Sequence, residues 1–169
     1  HLRSNDKESD DYALWAWQAR VLQKAQLNKL PCNYEAGTVT TEWMRDLARL
    51  SWSEQGPSLA VEYLNRSGIH LIIEPHLPKT YLDGAACISP DGNPVIALTL
   101  RYDRLDSFWF TLMHELSHLC LHFEASRNWF IDDLDSASMS SVEEEADDLA
   151  EEALIPESAW PAAIRSPEQ

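Results

Sequence analysis

Residues 105–122 read LDSFWFTLMHELSHLCLH, and the fold follows from how this stretch must be housed. Phe108, Trp109, Phe110, Leu112, Met113, Leu116, Leu119 and Leu121 leave almost no polar side. A helix from about Leu105 to His122 with that pattern belongs in an interior. Set within it is His114-Glu115-Leu116-Ser117-His118, an HExxH sequence. Two histidines at i and i+4 share one helix face, about 6 Å apart along its axis. Their ring nitrogens can converge on one zinc ion, and Glu115 is placed to take a proton from water on that ion. The plainer alternative is two buried histidines satisfied by carbonyls or carboxylates. Burying two imidazoles and a carboxylate in an apolar helix costs several kcal/mol unless something pairs with them, which favours the metal.

Working outward, the period of the sequence changes upstream of this helix. Ile69 to Glu74 is a short β-branched run, and GAACIS (84–89) and PVIALTL (94–100) flank Pro90-Asp91-Gly92-Asn93. Turn chemistry between two strand-like runs predicts an antiparallel hairpin, and with the first run a sheet of about three strands. Three helices precede it. The first runs from Asp11 to Lys29 on Leu14, Trp17, Val21 and Leu22. The second starts at Thr41 as N-cap and buries Trp43, Met44, Leu47 and Leu50. The third opens at Gly56-Pro57 and closes at Gly68. Downstream, a looser stretch at 124–139 leads to a last helix from Ser141 to about Leu154, with Ser140 and Glu143 as a capping box and Pro156 as its stop. The expected fold is α+β: mostly helical, with a small antiparallel three-stranded sheet packed on a buried HExxH helix, a zincin-like arrangement. Residues 1–54 would be an N-terminal helical extension and 55–169 the metal-binding domain.

Charge narrows the partners. With 28 acidic against 13 basic residues the formal net charge is −15, so the chain is repelled by phosphate backbones and direct nucleic-acid binding is not expected. No apolar run approaches the roughly 20 residues that cross a bilayer. Cys32, Cys87 and Cys120 are odd in number and scattered, which predicts reduced thiols and a cytoplasmic protein. The chain begins with histidine rather than methionine, which suggests a domain cut from a longer protein.

A catalytic zinc site needs a third protein ligand and an open position. His122 continues the i+4 series, but it lies about 12 Å along the helix axis from His114, too far to share one ion. A hydrogen-bonding role suits it better. Cys87 sits among Ala85, Ala86 and Ile88 and reads as strand packing. Glu145 is the stronger candidate. In SSVEEEADDLAEEAL the apolar residues are Val142, Ala146, Leu149 and Ala153, and Glu145 falls beside Val142 and Leu149 on the edge of that face. A carboxylate turned to the core needs a partner, which zinc would supply; an edge residue reaching solvent is the alternative.

Two linked motifs, HELSHLCLH at 114–122 and EEEADDLAEEALIP at 143–156, resemble the ImmA/IrrE family of metallopeptidases, over roughly residues 55–160. The resemblance implies His114 and His118 as histidine ligands, Glu145 as the third ligand and Glu115 as the catalytic glutamate. Ser117 stands where the family usually has glycine, and Leu149 where an aromatic is common. The implied function is a zinc-dependent endopeptidase whose substrate is a protein or peptide, with a helix-turn-helix repressor or a toxin–antitoxin or stress system as the regulatory setting. No helix-turn-helix pattern is visible in residues 1–68. The rival expectation is a non-catalytic regulatory domain that uses the same pocket to bind a metal, an effector or a partner protein. His76, Tyr81, Arg101 and Tyr102 are chemically suited to stabilise a developing oxyanion, a role that sequence alone leaves unassigned.

Overall fold

Three strands form the sheet: β1 (His70–Ile73), β2 (Gly84–Ile88) and β3 (Pro94–Leu98), in the order β1-β3-β2. The structure is a computed structural model that describes residues 10–102, 104–122 and 136–155. The expected hairpin is present, with β2 antiparallel to β3 and Gly84 opposite Leu98. β1, however, runs parallel to β3, with Ile72 opposite Ala97, so the sheet is mixed rather than antiparallel. The reason lies in the connection. Residues 74–83 carry the chain past β3 to the far edge, through left-handed conformations at Lys79 and Tyr81, and β3 then returns between its two neighbours. A parallel pair of this kind is found where both faces of a sheet are covered. All three strands are buried almost throughout, which explains their continuous apolar runs.

One face is covered by α1 (Asp11–Leu27), whose N-cap Asp10 accepts hydrogen bonds from the amides of Tyr12 and Ala13. Leu14, Trp17, Val21 and Ala25 pack against Ile72, Leu82, Ala85, Cys87, Val95 and Ala97. Glu74, just beyond β1, clamps this helix. Its carboxylate is 3% exposed and meets Arg20 at 3.2 Å and Lys24 at 2.6 Å, while its carbonyl accepts from the Trp17 indole at 3.0 Å.

The other face carries the larger core, built from α2 (Thr41–Ala48), α3 (Gly56–Arg66), α4 (Leu105–His122) and α5 (Ser136–Leu154). The N-cap of α2 is Thr40 rather than Thr41, its hydroxyl accepting from the Trp43 amide at 3.1 Å. At the start of α3, a Cβ on Gly56 would lie 2.4 Å from the Leu50 carbonyl oxygen, so the close turn there requires glycine. Arg45 on α2 pairs with Glu152 on α5. α4 spans the predicted limits and supplies Leu112, Met113, Leu116 and Leu119 to the core. α5 begins at Ser136, upstream of the expected start, so Ser140 lies within the helix and Glu143 is an ordinary helical position rather than part of a capping box. Of the loose stretch expected at 124–139, residues 124–135 lie outside the described residues and 136–139 belong to α5. None of the described helices is long and apolar enough to cross a membrane.

Candidate metal centre

α4 brings the two motif histidines together as the i, i+4 spacing requires. Both are fully buried, and their Nε2 atoms are 3.0 Å apart. The carboxylate that joins them is that of Glu143 from α5, 3.2 Å from His114 Nε2 and 3.5 Å from His118 Nε2. These separations test whether an ion fits. A tetrahedral zinc with bonds of about 2.0–2.1 Å holds its donors about 3.3 Å apart, close to the ring-to-ring separation, while the two Glu143 distances run to different oxygens, Oε2 to His114 and Oε1 to His118. Two ring nitrogens so close, with a carboxylate beside them, make a donor set suited to a divalent cation.

Asp147, one turn beyond Glu143, lies 2.8 Å from Nδ1 of His114. With Nδ1 donating its proton to that carboxylate, the lone pair of Nε2 is left facing the cluster. Burial is the largest single influence on both rings and acts to lower each. It holds His118 below the usual imidazole range; at His114 it is outweighed by the Glu143 hydrogen bond and the Glu115 charge, so that ring is raised. Burial alone would raise Glu143, but its bonds to the two histidines hold it well below the ordinary carboxylate range.

Glu115 is fully buried, and neither carboxylate oxygen has a hydrogen-bond partner among the described residues. Its side chain lies against the start of β2. A Cβ on Gly84 would come within 3.0 Å of Glu115 Oε1 and 2.7 Å of Thr111 Cγ2, so the missing side chain is what admits the glutamate.

Glu145, the expected third ligand, is exposed and stands outside this group. The face of α5 that enters the core is a stripe of small residues, Ala146, Ala150 and Ala153, which lets the helix approach α4 closely. Glu143 and Asp147 flank that stripe; of the expected apolar face, Ala146 and Ala153 are buried, whereas Val142 and Leu149 are only half-buried. The available signal was the i, i+4 pair Glu143/Asp147 in line with the alanines.

The other candidates are separated. Cys87 lies on the sheet face covered by α1, with its thiol pushed up to about 12 by burial. The side chain of His122 lies outside the described residues. Ser117 is buried, its hydroxyl donating to the Met113 carbonyl at 2.8 Å, so the extra oxygen is satisfied. Tyr81, Arg101 and Tyr102 gather at one end of the hairpin, whereas His76 lines a different cleft with Arg20, Lys24 and Glu74.

The family model of the IrrE N-terminal-like domain, a peptidase family, matches residues 64–166, a span that contains the whole sheet, the HExxH helix and α5. No curated protein and no solved structure matches the chain. With more than half of its length matched, and with a His/His/Glu group formed inside the matched span, the chain belongs to the IrrE N-terminal-like, or ImmA/IrrE, family.

Proposed function

We propose that this domain is a zinc-dependent endopeptidase, with His114, His118 and Glu143 as the metal ligands and Glu115 as general base. The observation that carries the reading is the convergence of three donors beside a buried carboxylate that has no hydrogen-bond partner among the described residues. A divalent ion held there supplies a Lewis acid that polarises a carbonyl and acidifies water. The chain's own residues do the rest. Asp147 orients His114 through Nδ1, and the packing of α5 on α4 holds Glu143 in place. Glu115 receives the proton of the attacking water at a carboxylate oxygen and returns it to the leaving amine. β2 is an outer strand of the described sheet and begins at the residue that touches Glu115, so an extended peptide aligned along its outer edge would pass the base. The family resemblance suggests a helix-turn-helix repressor as substrate.

Glu115→Gln tests the assignment, because it leaves all three proposed ligands intact. The variant should keep about one metal ion per chain by elemental analysis and lose about 10²–10⁴-fold in peptide cleavage. Unchanged cleavage would remove Glu115 from the mechanism. A parent protein that takes up no metal even when zinc is supplied would leave a metal-free binding domain as the better account.

A further inference from the structure

α1 buries Leu14, Trp17, Val21 and Ala25 against the sheet, and the opposite side of the same helix faces solvent. There, at steps of three and four, Tyr12, Trp15, Ala16, Ala19, Gln23 and Gln26 form one exposed stripe, closed at its end by Leu27. Tyr12 is 80% exposed, Trp15 63% and Leu27 79%. The Tyr12 and Trp15 rings meet edge to face with centroids 5.8 Å apart, so they stand as one aromatic block. No charged residue lies on the stripe. Asp11 falls to one side of it, and Arg20 and Lys24 fall to the other, turned towards Glu74. A solvated helix normally puts its charges outward, and this chain has a net charge of −15. A charge-free face about 25 Å long, headed by two aromatic rings, is the kind of surface that another protein covers. α1 lies on the sheet face opposite α4 and α5, so the stripe looks away from the proposed metal centre.

We propose that this stripe is the contact between two copies of the chain, packed as an antiparallel pair of α1 helices. Its shape fits itself. With the two-fold axis at Ala19, Trp15 of each copy faces Gln23 of the other and Tyr12 faces Gln26. Every bulky ring then meets a slender side chain, and the smallest residue sits at the crossing, where two helices must come within about 8–10 Å. The two ends of α1 also differ in charge. Asp10 and Asp11 open the helix, whereas Arg20 and Lys24 towards its end outnumber Glu74 by one charge. Antiparallel packing brings each acidic end to the other's basic end and opposes the two helix dipoles. The area is sufficient and no more. An aromatic side chain buries about 150–250 Å², so the four rings of a symmetric contact supply roughly 600–1,000 Å². Leu27 and the alanines carry the total to the threshold of about 1,000 Å² for a specific interface. The dimer is therefore weak and reversible, and at long range the two acidic chains oppose it until salt screens them.

Sedimentation equilibrium of the whole chain reads the association directly. The expected result is a monomer–dimer equilibrium with a Kd on the order of 1–100 µM, tightening severalfold between about 0.05 and 0.5 M salt. Ala19→Glu sets two carboxylates against each other at the crossing, and Trp15→Glu puts one among the rings. Each should weaken the dimer by about tenfold or more. Trp52→Glu, at a 93% exposed tryptophan between α2 and α3, should leave it unchanged. The geometry has its own test. With the exposed Cys32 replaced by serine, Ala19→Cys should give a disulfide-linked dimer in oxidised glutathione, and Trp52→Cys should not. A parent that stays monomeric at about 500 µM in high salt, well above the expected Kd, would overturn the proposal and leave the stripe to a different partner. A dimer that survives both α1 substitutions would overturn it as well, since the contact would then lie on another face. So would a dimer that loosens as salt is raised, because charged groups would be holding it. Should Trp15→Glu fail to fold by circular dichroism, Ala19→Glu and the cysteine pair carry the test.

Discussion

Asp147 fixes which nitrogen of His114 faces the cluster, because the Nδ1 proton is held on its carboxylate at 2.8 Å. Asp147→Asn should therefore weaken zinc binding about 10–100-fold in a chelator competition, with little change in the fold. Glu143→Ala should remove metal almost completely by elemental analysis, while Glu145→Ala, at an exposed position, should retain it. Full retention by Glu143→Ala would sink the ligand set proposed above. Gly84 gives a prediction of another kind. A methyl group there meets Thr111 and Glu115 at 2.7 and 3.0 Å, so Gly84→Ala should displace the base and destabilise the protein by about 1–3 kcal/mol. Paired denaturant titrations and cleavage rates should show activity falling further than the lost stability explains. The meeting of His114 and His118 beside a buried Glu115 was legible, because spacing on one helix fixes their relation without help from the rest of the chain. Glu143 was not, because three consecutive glutamates differ only in the direction α5 turns them, and the more apolar Val142 and Leu149 pulled the expected face away from the buried alanines that set it.

At the scale of elements, α1 is held by one carboxylate as well as by its apolar side. Glu74 receives Arg20 and Lys24 while buried, and a charge in that position is tolerable only with such partners. The two cations are about half exposed, so Glu74→Ala leaves them able to hydrate, and the expected loss is about 1–3 kcal/mol. Hydrogen exchange should show the amides of α1 losing protection ahead of those of α4; uniform loss across both helices would mean that Glu74 supports the whole fold instead. Helices were the most legible elements. Capping residues and three-to-four spacing placed α1, α2, α3 and α4 within a few residues of their ends. The hairpin was equally clear, since its turn chemistry is local. The direction of β1 was not, because Ile69 to Glu74 carries no mark of which strand it will join or from which side. The start of α5 was missed for a related reason: a run of Ser and Ala offers several plausible N-caps, and packing on α4 selects among them.

For the molecule as a whole, the three cysteines report how burial is distributed. Cys32 is exposed, Cys120 is half-buried and Cys87 is buried with its thiol pushed up to about 12. Only the thiolate reacts, so at neutral pH an alkylating reagent should modify Cys32 first and reach Cys87 only when denaturant is added, an order that mass spectrometry resolves directly. Early labelling of Cys87 would mean that α1 lifts from the sheet under native conditions. The position of β3 has a further consequence, in time rather than in space. β3 lies between a neighbour reached by a short turn, Ile88 to Pro94, and one reached only across the whole of β2, His70 to Val95. Closing the nearer loop forfeits less chain entropy, so the hairpin is expected to form before β1 docks. The seat of Glu115 against Gly84 belongs to that early hairpin, whereas the clamp on α1 must wait for β1. The chain thus prepares the bed of its proposed base first and fastens its outer helix last.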